Sequence, residues 1–138
     1  MPPDAPESAF SMARLEPAAL VSARSEVARA AADPDVQSCA AALARCLPAP
    51  ADPELAEYEQ LALLGVSAGF VERHLSPHVA AHTAIVPPLI DEIRSVYREV
   101  RRLGMPYSAE EFRLRAFHYG VHKASYLDWQ LYLSKELY

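Results

Sequence analysis

"IVPPLIDEIRSVYREVRRLG", residues 85–104, carries the clearest periodicity in the chain. Leu89, Ile93, Val96, Val100 and Leu103 recur every three or four residues, the spacing of one face of an α-helix. Pro87 and Pro88 suit a first turn, where a backbone N–H has no partner to lose, and Gly104 stands where a left-handed residue closes a helix. An amphipathic helix with both ends marked therefore lies near the middle of the C-terminal half.

Similar start signals recur on the N-terminal side. Asp33-Pro34, Asp52-Pro53-Glu54 and Ser76-Pro77 each set a capping side chain before a proline that can occupy the first helical position. They predict a helix from about Glu7 to Ala32, with Pro17 as a point of interruption and Leu15, Leu20 and Val27 among its apolar positions. A second helix carries Val36, Ala40, Leu43 and Leu47, and a third runs through "ELAEYEQLALLG" to end near Gly65. Residues 1–8, with three prolines and two acids, read as a disordered lead. Residues 9–138 read as a single helical domain, in which 48–53 form a semi-stiff Pro-rich linker.

On the C-terminal side, "YSAEEFRLR" (107–115) opens the last helix. Ser108 and Glu111 have the spacing of a capping box, hydroxyl to the Glu111 backbone and carboxylate back towards the start. Beyond it, Phe112, Leu114, Phe117, Tyr119, Val121, Tyr126, Trp129, Tyr132 and their neighbours project apolar groups in nearly every direction. Such a helix is either buried in its own domain or covered by another chain. The expected fold is all-α, an irregular bundle of five to seven helices with a long aromatic-rich C-terminal helix.

Composition agrees and excludes several functions. The chain has 138 residues, 51% hydrophobic and 22% charged, with four Gly against twelve Pro. So few Gly argue against hairpins, and the length suffices for one core without disulfides. A net charge of −5 offers no basic footprint, so nucleic acid is not an expected partner. Cys39 and Cys46, seven apart on a helix, point in different directions and read as buried, reduced thiols of a cytoplasmic protein. The first residues lack the pattern of a signal peptide, and no run approaches the ~20 apolar residues a membrane span needs.

Chemistry-bearing residues are sparse. His78 and His82, and His118 and His122, are paired at a spacing of four, which sets two imidazoles on one face of an α-helix, a workable half of a metal site. No Glu-x-x-His or His-Glu-x-x-His pattern accompanies them, and no glycine-rich loop or nucleophile elbow is present. Structural histidines are the competing reading. Arg113 and Arg115 stand in the first turns of the last helix, where the macrodipole disfavours cations. Glu110 and Glu111 offset this in part. A guanidinium in that position suits a pair of anionic oxygens, either those of a surface acid or those of a functional partner.

The runs "VRRLGMPYSAEEFRLRAF" and "ASYLDWQLYLSKEL" resemble the N-terminal helical region of nitrile hydratase β subunits and the small subunit of thiocyanate hydrolase, over about residues 87–138. The resemblance implies that Arg113 takes the place of an arginine that hydrogen-bonds oxidised cysteines of the metal centre. It also implies that Tyr126, Trp129 and Tyr132 line a substrate pocket or subunit interface. In that family a non-corrin cobalt or iron atom sits in a Cys-x-x-Cys-Ser-Cys claw of the α subunit. No claw occurs here, so the chain itself would hold no cofactor. It would act as one half of a split β subunit, with a claw-bearing α subunit and a separate β-barrel subunit as partners. Two other readings remain open from the residues: a helical protein-interaction or regulatory module without catalysis, and a small metal protein using the four paired histidines.

Overall fold

The computed structural model describes residues 16–47, 52–104 and 108–137, with 126–137 described by backbone alone. It is all-α: helices α1 (Pro17–Ala32), α2 (Pro34–Ala44), α3 (Pro53–Glu72), α4 (Val86–Leu103) and α5 (Ala109–Leu137), with a 3₁₀ segment, Ser76–Ile85, between α3 and α4. There is no strand among the described residues. None of the described helices is long and apolar enough to cross a membrane.

The start signals at Asp33, Asp52 and Ser108 act as expected, whereas Ser76 ahead of Pro77 makes no side-chain cap and opens a 3₁₀ segment rather than an α-helix. Asp33 Oδ1 accepts from the Asp35 N–H at 2.9 Å, and Asp52 Oδ1 from the Glu54 N–H at 2.9 Å, each ahead of a proline. Ser108 Oγ accepts from the Glu111 N–H at 3.2 Å. Gly104, at φ +83°, closes α4. The helix expected from Glu7 begins within the described residues at Pro17; the 1–8 lead lies outside them, as does most of the 48–53 linker.

Two expectations need correction. The third helix does not end at Gly65 but continues to Glu72 and closes on His74, whose backbone is left-handed at φ +58°. The His74 N–H reaches Val71 O and the Leu75 N–H reaches Phe70 O, which together make a complete Schellman closure without glycine. Histidine tolerates this conformation better than most residues. The second correction is that only Cys39 is buried, whereas Cys46 is exposed; both are free.

Gly65 is inside α3 because of what crosses it. A Cβ there would lie 1.9 Å from the Phe117 carbonyl oxygen, and one on Gly120 would lie 2.0 Å from that of Ala62. The two backbones touch, with Gly69 meeting Ala124 further along. Contact partners rise together along both helices, so α3 and α5 run in the same direction and form the most extensive helix pair. Helix α4 returns antiparallel, with Glu59 against Arg94 and Glu54 against Arg101. The main core fills the space between them with Tyr58, Leu63, Val66, Phe70, Leu89, Ile93 and Phe112. Tyr58 and Phe112 rings are 4.5 Å apart, and Tyr97 meets Phe112 edge-on at 6.1 Å.

Helix α1 lies elsewhere. It and the start of α2 cover a second, smaller cluster on the other side of α3 and α5, made of Ala30, Val36 and Phe117 with Val27, Leu64, Ala68, Val71 and Val121 around them. The apolar breadth of α5 is thus met, as far as Ser125, by helices of its own chain: Phe112, Leu114, Ala116, Phe117, Tyr119 and Ala124 are all buried.

Candidate functional site

Arg113 lies on the α3-facing side of α5, one turn after the cap. Its Nη1 approaches Glu57 Oε1 at 3.5 Å, with the arginine side chain 36% and the glutamate 53% exposed. A second pair flanks it: Arg24 of α1 binds Glu110, Nε to Oε1 at 2.9 Å. Together with Val27, Leu61 and Leu114 these residues line a cleft of about 330 Å³ where α1, α3 and α5 meet. Two arginines and two carboxylates, paired Arg24–Glu110 and Arg113–Glu57, thus line it beside apolar side chains. A single long contact between exposed groups is worth about 1 kcal/mol or less, so Glu57 holds the guanidinium loosely. Arg115 is different: only 4% exposed, it is built into the interior of the molecule one turn from the buried Glu111.

One turn before Glu57 on α3 lies a denser polar junction that the sequence did not reveal. Glu54 Oε1 accepts from the Tyr58 hydroxyl at 2.7 Å, and Glu54 Oε2 accepts from Tyr97 at 3.0 Å and from Arg101 at 3.4 Å. Asp52 Oδ2 is 3.2 Å from the Tyr97 hydroxyl. One carboxylate near the start of α3 thus fastens two core tyrosines and the last turn of α4. Burial, and then the hydrogen bond to Glu54, push the ionisation of both phenols up, that of Tyr97 to about 12. Because the folded value is raised, the protonated Tyr97 hydroxyl contributes its full stability below pH 10, the ordinary value. That contribution is lost as pH climbs from 10 through 12. Thermal midpoints measured from pH 8 to 12 should show this alkaline decline, and Tyr97→Phe should be less stable at pH 8 with a shallower decline.

The two histidine pairs differ: His118 and His122 lie four apart on the α-helix α5, whereas His78 and His82 do not share a helical face. His78 and His82 both sit at non-helical kinks of the 3₁₀ segment, so the expected shared α-helical face does not exist; at three residues per turn a spacing of four is also out of register. His82 packs edge-on to Phe70 at 5.9 Å. His118 Nε2 is 2.8 Å from Glu26 Oε2 of α1, while His122 has a buried Nε2 one turn later. Among the described residues no three His, Cys, Asp or Glu side chains are placed to hold a metal ion. The side chains of Tyr126, Trp129 and Tyr132 lie outside the described residues, although the helix carrying them continues to Leu137.

Two further groups escaped sequence reasoning. Glu59 is 1% exposed and receives Arg94 Nε at 2.6 Å, a charge pair inside the α3–α4 interface. A heptad reading places Glu59 beside the core residues Leu55, Ala62 and Val66, and a polar residue on an apolar face was the available signal. Burial, and then the Glu92 carboxylate, raise the ionisation of Tyr119; Lys123 lies over its ring at 5.3 Å.

The chain matches no curated protein and no solved structure. Residues 54–134, which run from the first turn of α3 through most of α5 and contain both Glu57 and Arg113, match the family described as a domain of unknown function, DUF8786, and the chain belongs to that family.

Proposed function

We propose that this chain is the helical, non-metal-binding subunit of a nitrile hydratase or thiocyanate hydrolase type enzyme, and that Arg113 is the residue it contributes. The single observation that supports this reading is the state of Arg113. Its guanidinium lines a cleft and is partly exposed, with a 3.5 Å contact to an exposed carboxylate, so another oxyanion can replace Glu57 at little cost. Oxidised cysteine oxygens of a claw-bearing α subunit have the charge and paired geometry that the fork of an arginine accepts. The cobalt or iron would belong to that partner, and a separate β-barrel subunit would complete the assembly. Tyr126, Trp129 and Tyr132, further along α5, are the residues proposed for the pocket or the interface.

Co-expression with a Cys-x-x-Cys-Ser-Cys protein encoded beside this chain tests the reading. A stable complex with nitrile-hydrating or thiocyanate-hydrolysing activity is expected. Arg113→Ala should lower kcat about a hundredfold, the loss typical of one donor to a developing or fixed oxyanion. Arg113→Lys, which keeps the charge but not the fork, should fall between. Full activity in Arg113→Ala would remove the catalytic role.

The second reading, an interaction module without catalysis, draws on a cleft lined by the Arg24–Glu110 and Arg113–Glu57 pairs together with Val27, Leu61 and Leu114. Recovery of a stable partner with no cysteine claw would favour it over the first.

A further inference from the structure

Helix α1 is fastened at one end. Asp33 alone joins it to α2, its backbone extended at φ −84° and ψ 118°, with its N–H on Ala30 O at 3.2 Å. The Gln37 side chain reaches back across this junction to Ala31 O. At the other end no residue from Pro17 to Ser22 is buried, and Val21 is 60% exposed. No α1 residue belongs to the main core; Ala30, with Val27 beside it, packs on the smaller cluster, and Ala23 is the one other buried residue. The remaining ties are two ion pairs between half-exposed side chains, Arg24–Glu110 and Glu26–His118. Pairs of this kind hold weakly and are screened by salt. A helix with so few buried apolar contacts opens at a cost well below that of unfolding the whole molecule.

The loosely held part of α1 forms one wall of the Arg113 cleft, through Arg24, Val27 and Ala28. The charges of that cleft divide unevenly among its walls. With α1 seated, the guanidiniums of Arg24 and Arg113 face the carboxylates of Glu57 and Glu110. With α1 swung away about Asp33, Arg24 leaves, and Arg113 alone stands with Glu57 and Glu110. A negative group settling at Arg113 therefore meets a cleft one charge more positive when α1 is seated. A ligand shifts an equilibrium towards the state that holds it more strongly, and the coupling is the same in both directions.

We infer that α1 is a hinged lid on the Arg113 cleft that closes on a bound oxyanion, Arg24 being the charge it brings. The inference rests on the reading of Arg113 as a residue that binds an oxyanion, and adds the regulation of that site. Occupancy of the cleft sets the position of α1, a helix outside the stretch 54–134 that matches the family. An oxyanion at Arg113 seats α1, and loss of the oxyanion releases it.

Hydrogen exchange of the full chain, read by mass spectrometry at constant ionic strength, tests the lid. The probe is benzenesulfinate, which presents the two oxygens of an oxidised cysteine. Without it, residues 17–26 are expected to exchange faster than α3 and α5. Saturating benzenesulfinate should slow exchange of 17–26 about fivefold, the low end of usual coupling between sites, and leave α4 unchanged. Glu26→Ala removes a tie that lies outside the Arg113 cleft, so it should speed exchange of α1 yet keep the slowing. Arg24→Gln and Arg113→Ala should each lose the slowing; Arg113→Gln serves should Arg113→Ala not fold. Exchange of 17–26 as slow as that of α3, equal exchange with and without the probe, or slowing that survives in either arginine variant overturns the lid. These outcomes are separate from the co-expression result. An Arg113-dependent active complex, in a chain whose α1 ignores benzenesulfinate, keeps the catalytic reading and removes the lid.

Discussion

Gly65→Ala is expected to cost about 3 kcal/mol or more of folding stability, which for a chain of this size lowers the thermal midpoint by roughly 12 °C. The new methyl would sit 1.9 Å from the Phe117 carbonyl oxygen and 3.0 Å from the Val121 nitrogen. These are backbone atoms, and no rotamer change can clear them. The helices would have to part along their whole contact, loosening Ala62, Val66 and Ala124 with them. Helix propensity makes the opposite forecast, because alanine inside an exposed helix is worth about 1 kcal/mol over glycine. The sign of the change in thermal midpoint therefore separates the two accounts. Gly120→Ala should behave alike, since its Cβ would meet Ala62 O at 2.0 Å. A midpoint that rises in either variant would mean that α3 and α5 do not touch backbone to backbone.

The next largest effect is expected at the buried charge pair. Arg94→Met leaves Glu59, 1% exposed, without its cation inside the α3–α4 interface. Breaking such a pair from one side costs about 3 to 5 kcal/mol, whereas replacing both members with apolar residues of similar volume is often neutral. Arg94→Met should accordingly be strongly destabilised in chemical denaturation, and Glu59→Leu combined with Arg94→Met should recover most of the loss. The arginine is 26% exposed, so the lower end of that range applies. Additive losses in the double variant would show that the two side chains act independently and that the pair is not what joins α3 to α4.

How much was legible can be traced residue by residue. The capping signals Asp33-Pro34, Asp52-Pro53 and Ser108 to Glu111 were readable because a cap is a local event: donor, acceptor and proline lie within three residues of one another. Helix α4 was readable for the same reason, its apolar spacing being a property of one strip of chain. The end of α3 was not. Gly65 looked like a stop in isolation, yet its lack of a Cβ answers to Phe117 and Val121, more than fifty positions on. The imidazole pair at His78 and His82 failed because α-helical periodicity was applied to a 3₁₀ segment. The apolar excess of α5 is legible in the sequence, but through Ser125 it is absorbed by α1, α3 and α4.

For the site, the sequence singled out Arg113 as a cation at the wrong helix end but could not name its neighbour. Glu57, Arg24 and Glu110 come to it from three helices, and the Glu54 junction gathers Tyr58, Tyr97 and Arg101 from two. Such constellations depend on which helices cross and in which direction, and no local pattern encodes that.

By itself, then, the sequence determined that this chain is helical, where most helices begin, and where α4 ends, because those outcomes follow from backbone hydrogen bonding and capping within a few residues. Only the tertiary structure decided that α3 and α5 run parallel in backbone contact, that α1 covers a second apolar cluster on them, and that Arg113 meets Glu57. The physical reason is that these depend on the absence of side-chain volume at glycines far apart in sequence, and on charges that become neighbours only once the helices have packed.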